Sequence, residues 1–187
     1  SRIETAFLQG ENILVFGDYD VDGTSSVALM ASYLKTRIEH VATYIPDRYE
    51  EGYGVSYQGI DFAHDNDFSL IIALDCGVKA IDKVAYAKEK GIDFIICDHH
   101  RPGNELPKAV AVLDPKRDDC EYPYKELCGC GVGFKLIQAL AQNEGKSTED
   151  LAEYLDLVAT AIGADIVPIM GENRVLAYFG LQVINSN

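Results

Sequence analysis

Three aspartates at alternate positions, Asp18, Asp20 and Asp22, stand in the segment Gly17-Asp18-Tyr19-Asp20-Val21-Asp22-Gly23-Thr24, directly after the apolar run Ile13-Leu14-Val15-Phe16. On extended backbone, residues two apart point to the same face, so this spacing predicts three carboxylates on one side. Like charges held that close repel unless a cation sits among them. A divalent metal fits that role, because hard cations take carboxylate oxygens as ligands. The same residues also fit a plainer reading, an Asp-Gly-rich turn with solvated acids.

Two further apolar runs end in residues of the same kind. Ser69-Leu70-Ile71-Ile72-Ala73-Leu74 stops at Asp75-Cys76-Gly77, and Asp93-Phe94-Ile95-Ile96-Cys97 stops at Asp98-His99-His100. Between them Ile81, Val84, Ala85 and Lys88 keep helical spacing and Gly91 closes the helix. That is a βαβ unit, whose strands are expected to be parallel neighbours. Three buried strands then each carry acids or histidines at their carboxyl ends, where open α/β sheets place their ligands.

The remaining elements follow from the same patterning. A short leading helix with Ile3, Phe7 and Leu8 ends at Gly10, and Gly23-Thr24 opens a helix with the inner stripe Val27, Met30, Ala31 and Leu34. Residues 40–45 read as a strand stopped by Pro46, followed by a two-glycine loop over 48–55 and a helix from Tyr57 to Ala63. Residues 109–113 read as a strand ended by Asp114-Pro115, and the Gly-rich Cys128 to Lys135 segment opens a helix through Ala141. Ser147 caps the next helix, with Asp150 three residues on, close to a capping box. That helix runs through Leu155, Val158 and Ala159 to Gly163, and Asp165 lies in the following turn. A last helix from Glu172 to about Ile184 carries Val175, Leu176, Phe179 and Leu181. The expected fold is α/β, a parallel Rossmann-like sheet with helices on both faces and a helical last third, as one domain over residues 1–187.

Bulk properties bound the partners. A net charge of −14 over 187 residues is the wrong sign for a general grip on nucleic acid. Any polyanionic substrate must be held by metals, by a few local bases, or by protein beyond this sequence. The five cysteines Cys76, Cys97, Cys120, Cys128 and Cys130 are odd in number, and Cys128-Gly129-Cys130 lacks a second pair for zinc. Small buried thiols in a reducing cytosol account for them, so a cytoplasmic location is expected. No apolar run reaches bilayer length, and Ser1-Arg2-Ile3-Glu4-Thr5 is no secretory signal. The sequence begins without Met, as if cut from something longer.

Asp18-x-Asp20-x-Asp22-Gly23, Asp75-Cys76-Gly77, Asp98-His99-His100, the Gly-rich Cys128 to Lys135 segment and Gly163-Ala164-Asp165 occur in the order of the motifs of the DHH phosphoesterases. The chain resembles that family over essentially its whole length. Gly17 to Thr24, Pro46-Asp47-Arg48-x-x-Glu51-Gly52-Tyr53-Gly54 and Leu127 to Val132 are most similar to its 5′→3′ single-strand DNA exonuclease branch, which serves DNA repair and recombination. The resemblance implies a catalytic DHH domain that, in the whole protein, continues into a second domain completing the nucleic-acid groove and then an OB-fold. It also implies metal ligands Asp20, Asp22, Asp75, His99 and Asp165, with Asp75 bridging two ions. Many members carry a His four residues before the first ligand Asp. That position is Phe16 here, with Asp18 the nearest substitute.

Manganese(II) suits such mixed carboxylate and imidazole ligands better than magnesium, which is the alternative ion. Two such ions can clamp the attacking and leaving oxygens of an in-line phosphoryl displacement. By the same resemblance His100 faces substrate, and Asp98 orients a histidine. Gly131 and Gly133 belong to a loop that could present N–H groups to a phosphate, or to a turn that is Gly-rich for steric reasons. Arg48, Tyr53 and Arg101 could touch DNA, although the Arg48 to Tyr53 motif could equally be packing. His40 and His64 lie off the motifs and are expected to be exposed. The leading function is metal-dependent single-strand DNA hydrolysis, with single-stranded DNA as partner in the full protein and a single-strand-binding protein or helicase as a further partner. A phosphodiesterase for short oligonucleotides or signalling dinucleotides is the alternative in the same fold, and a non-catalytic relative is the alternative from another class.

Overall fold

Five strands, β1 (Asn12–Gly17), β2 (Val41–Tyr44), β3 (Phe68–Leu74), β4 (Asp93–Cys97) and β5 (Ala111–Leu113), form one sheet in the computed structural model, which describes residues 1–186. Their order is β2-β1-β3-β4-β5, and every neighbouring pair is parallel. Ile13 to Phe16 and Leu70 to Leu74 are buried throughout, as continuous apolar strands covered on both faces must be. From β1 the chain goes outward to β2 and returns across β1 to β3. The direction of progress therefore reverses between β1 and β3, the place where open α/β sheets form their ligand crevice.

Helices cover both faces. On one lie α1 (Arg2–Gln9), α2 (Val21–Lys35), α5 (Gly129–Asn143), α6 (Leu155–Ala164) and α7 (Gly171–Ser186), sharing a core of Val15, Met30, Leu34, Ile72, Phe134 and Val158. On the other lie α3 (Tyr57–Asp65) and α4 (Ile81–Glu89), over Leu14, Phe16, Ile60, Ile71, Val84 and Phe94. No helix among the described residues is long and apolar enough to cross a membrane.

Several local expectations need correction. α2 starts at Val21, because the Asp20 carboxylate caps it by accepting the Gly23 N–H at 2.8 Å. The aspartates thus do not line an extended face. Asp18 ends a strand, Asp20 caps a helix and Asp22 sits in its first turn. On α1, Ile3 and Ala6 turn inward while Leu8 is exposed, and on α4 the buried positions are Val84 and Ala87 rather than Ile81 and Ala85. Residues 149–154 form a 3-10 turn before α6 begins, although Asp150 Oδ2 still accepts the Ser147 N–H at 2.8 Å.

On α7 the inner stripe is Asn173, Leu176 and Gly180, and Val175, Phe179 and Leu181 face outward. Gly180 sets that rotation, since a Cβ there would lie 2.6 Å from the Ala159 Cβ and overlap the Leu155 carbonyl of α6.

Candidate metal centre

The carboxyl ends of β1, β3 and β4, the first turn of α2 and the end of α6 converge on one cluster. Three ligand groups overlap within it: Asp18, Asp20 and Asp75; Asp22, His99 and Asp165; and Asp75, His99 and His100. His99 Nε2 is the hub. It lies 3.1 Å from Asp75 Oδ1, 3.6 Å from Asp165 Oδ2 and 3.7 Å from Asp22 Oδ2. Asp75 and His99 each belong to two groups, and so could serve two neighbouring ions.

Local structure is bent to achieve this. Asp75 follows β3 with φ 57°, a left-handed conformation that non-glycine residues rarely adopt, while its N–H donates to the Cys97 carbonyl at 2.9 Å. Asp165 caps the end of α6, and the β-branched Ile166 beside it also has φ 58°. Strain next to two members of one cluster is the pattern expected where a site fixes its own geometry.

The acids are buried at a cost that a bound proton or a cation must offset. Asp18, Asp22 and Asp75 are each about 1% exposed. Burial, reinforced by Asp22 and Asp20, pushes the Asp75 carboxyl up to about 10. Burial also raises Asp22, against the N–H groups of Cys130 and Gly129 and the His99 ring, and it raises Asp18. Asp18 Oδ1, Asp75 Oδ1 and His99 Nε2 are buried without a hydrogen-bond partner, so the short Asp75–His99 approach is not a formed hydrogen bond. Unpartnered oxygens and an imidazole nitrogen aimed at a common point fit a divalent ion of the manganese class.

The α5 N-terminus meets this cluster with its donors already engaged. The Gly129 and Cys130 N–H groups donate to the two Asp22 oxygens at 2.6 and 2.7 Å. Gly131 donates to Cys128 Sγ, and Gly131 and Gly133 are buried inside the helix. The expectation that Gly131 and Gly133 offer a phosphate-binding loop is therefore corrected: the segment is helix, and it holds a carboxylate. Gly129 is required for space, because a Cβ there would stand 2.5 Å from Asp75 Oδ1.

Asp98 is saturated by its own loop. Oδ1 accepts from the N–H groups of His99 and His100 at 2.8 and 3.1 Å and from His100 Nδ1 at 2.7 Å, and Oδ2 accepts from Val78 N–H at 2.9 Å. Burial alone would raise the Asp98 carboxyl, but the His100 ring and these N–H groups hold it below its ordinary range. The Asp98 hydrogen bond in turn lifts His100 to about 9, with burial opposing.

His100 Nε2 faces outward, 3.1 Å from the Tyr53 hydroxyl. Tyr53 packs edge-on against Tyr19, and the Arg48 guanidinium lies 5.4 Å from the Tyr19 ring centre. The loop bearing Arg48 and Tyr53 is pinned by Glu51, which accepts from Asp47 N–H, Tyr44 Oη and Ser56 Oγ. The packing reading of this motif rests on Glu51, while Arg48 and Tyr53 stay exposed on the rim.

Arg101 is exposed beside a cleft it shares with Asn104, Lys116 and Arg117, and has no ion-pair partner among the described residues. Lys135 is bound to Glu172. His40 and His64 are exposed, and all five cysteines are free. Phe16 is buried against Tyr44 and leaves Asp18 to the cluster. Sequence reasoning missed Tyr19, whose place beside Tyr53 is set by tertiary contact, and Asp114, a buried acid ending β5 whose signal was the same strand-end pattern as Asp75 and Asp98.

Residues 12–162 match the DHH family, N-terminal domain. The chain is 45% identical over 181 residues to the single-stranded-DNA-specific exonuclease RecJ of Bacillus subtilis, covering 97% of this chain and 22% of that protein. It superposes on a crystal structure of exonuclease RecJ bound to manganese with a TM-score of 0.88 at 35% identity, over 99% of this chain and 46% of that one. RecJ of Thermus thermophilus in complex with Mn2+ gives 0.84 at 30% identity, over 100% of this chain and 26% of that one. The chain thus spans less than half the length of these relatives.

Proposed function

The chain belongs to the DHH family, and on that premise we propose that it hydrolyses phosphodiesters with divalent metal, as the catalytic domain of a RecJ-like single-strand-specific DNA exonuclease. The observation that carries this reading is the sharing of Asp75 and His99 among the ligand groups, which supports two adjacent ions. Asp18, Asp20 and Asp75 would hold one, and Asp22, His99 and Asp165 the other, with Asp75, which also groups with His99, serving both. When bound, such ions supply Lewis acidity, making a nucleophile of water near neutral pH and stabilising charge on the phosphate.

The chain's own groups do the rest. Asp98 accepts the His100 Nδ1–H and fixes the ring, so that Nε2 points toward the open face. With its pKa lifted to about 9, His100 is protonated at neutral pH and can donate from Nε2 to a phosphate oxygen or a leaving oxygen. Tyr53 accepts that proton's hydrogen bond until substrate replaces it. Arg48 and the Tyr19–Tyr53 pair offer a cation and π-faces to a nucleotide entering beside His100. Single-stranded DNA is the substrate of this reading, with magnesium as a weaker substitute for manganese.

The test is manganese-dependent hydrolysis of a short single-stranded oligonucleotide or an activated phosphodiester by the purified chain. Turnover that needs added Mn2+ and vanishes in Asp75→Ala is expected. Hydrolysis indifferent to chelator, or none with metal bound, would contradict it.

A further inference from the structure

Two buried atoms on neighbouring strand ends lack partners: His99 Nδ1 and Asp114 Oδ2. His99 Nε2 is turned to Asp75, Asp165 and Asp22, so Nδ1 is the nitrogen left over. A histidine that ligates metal through one nitrogen donates from the other to a carboxylate, carbonyl or water. The nearby acids are spent. Asp98 takes four N–H groups and Asp22 takes two. The orphan oxygen of Asp75 lies against Nε2, and that of Asp18 belongs to a ligand group with Asp20 and Asp75. Asp114 remains.

Its placement is fixed independently. Cys97 pairs with Leu113, and the Asp98 N–H donates to the Leu113 carbonyl at 2.9 Å, so Asp114 leaves its strand level with Asp98, one residue before His99 on the neighbouring strand. Asp114 is 3% exposed. Its Oδ1 accepts the Lys116 N–H at 2.7 Å, which leaves Oδ2 turned inward, within electrostatic reach of His99. We propose that Asp114 is a positioning residue for the metal centre, receiving the His99 Nδ1–H and thereby aiming Nε2 at the ions. The pair makes no direct hydrogen bond, so in this proposal the link runs through one bridging water.

This rests on the metal-binding reading above, and the experiment separates the two. Mn2+ binding to the wild-type chain and to Asp114→Ala is measured by calorimetry, alongside thermal unfolding of the metal-free proteins. The wild type loaded with diamagnetic Mg2+ is examined by imidazole 15N NMR. The expected result is a protected His99 proton on Nδ1 in the wild type, and Mn2+ affinity lowered about 10–100-fold in Asp114→Ala, the usual cost of losing such a partner. Unchanged affinity in the variant, or a wild-type His99 proton on Nε2, overturns the assignment while leaving the metal reading intact. Failure of the wild type to bind Mn2+ overturns both. If the variant does not fold, the wild-type proton position decides.

Discussion

The Gly129 N–H donates to Asp22 Oδ2 at 2.6 Å, so the first turn of α5 is built onto an acid of the cluster rather than onto a substrate phosphate. The partial positive charge of a helix N-terminus is thereby used to keep Asp22 ionisable in a buried place. The same glycine lets α5 approach Asp75, where a methyl group would stand 2.5 Å from Oδ1 and 2.8 Å from Cα.

Gly129→Ala should therefore act on metal binding as well as on stability. Overpacking of this kind costs about 1–3 kcal/mol, and the displaced Asp75 should weaken Mn2+ binding. Denaturant unfolding and metal titration of the same variant check both. Wild-type Mn2+ affinity in a folded Gly129→Ala protein would mean that Asp75 is not held where the site needs it.

His99 and His100 should separate cleanly. His100→Ala should keep its metal and lose about 10²–10⁴-fold in kcat, the scale of a lost acid–base group. His99→Ala should lose metal affinity, because Nε2 lies among Asp22, Asp75 and Asp165. Parallel metal content and kinetics would expose the error if both variants behaved alike.

The metal-free protein should lose stability as pH rises from 5 to 9. Burial raises Asp18, Asp22 and Asp75 above their ordinary values, Asp75 to about 10, so the folded state binds more protons than the unfolded one across this range. His100, lifted to about 9 by Asp98, adds in the same direction above its unfolded pKa of about 6.5. Asp98 is depressed and matters only under more acidic conditions. Thermal melts in chelator at pH 5, 7 and 9 should show a falling Tm, and added Mn2+ should restore most at the alkaline end. A Tm that rises with pH in chelator would contradict the cluster's electrostatics.

Much of this site is legible in the sequence, and what is not has a physical cause. Apolar runs ending in Asp18, Asp75 and Asp98-His99-His100 give the parallel sheet and its functional edge, because buried parallel strands need continuous apolar sequence. The helical start at Val21 is hidden, since Asp20 serves as N-cap and alternate spacing mimics a strand. The role of Gly129 to Gly133 is hidden for a related reason: what a helix N-terminus binds depends on which side chain tertiary packing brings to it, here Asp22. Tyr19 beside Tyr53 and the outward turn of Phe179 likewise depend on distant contacts.

Long single strands should bind poorly to these 187 residues. A net charge of −14 gives no general attraction for phosphates, and Lys135 is bound to Glu172. Titration of a labelled oligonucleotide series should show weak, strongly salt-dependent binding with little gain from length. Tight binding that strengthens with length at physiological salt would show that the chain carries its own DNA channel.

The proposed chemistry stands on Asp75 being shared by two ions. Metal analysis after dialysis against Mn2+, comparing the wild-type chain with Asp75→Ala, reads that sharing without relying on turnover. Close to two ions per wild-type chain are expected, with loss of most of both in the variant, because Asp75 groups with Asp18 and Asp20 on one side and with His99 on the other. Two ions retained by a folded Asp75→Ala protein would contradict it.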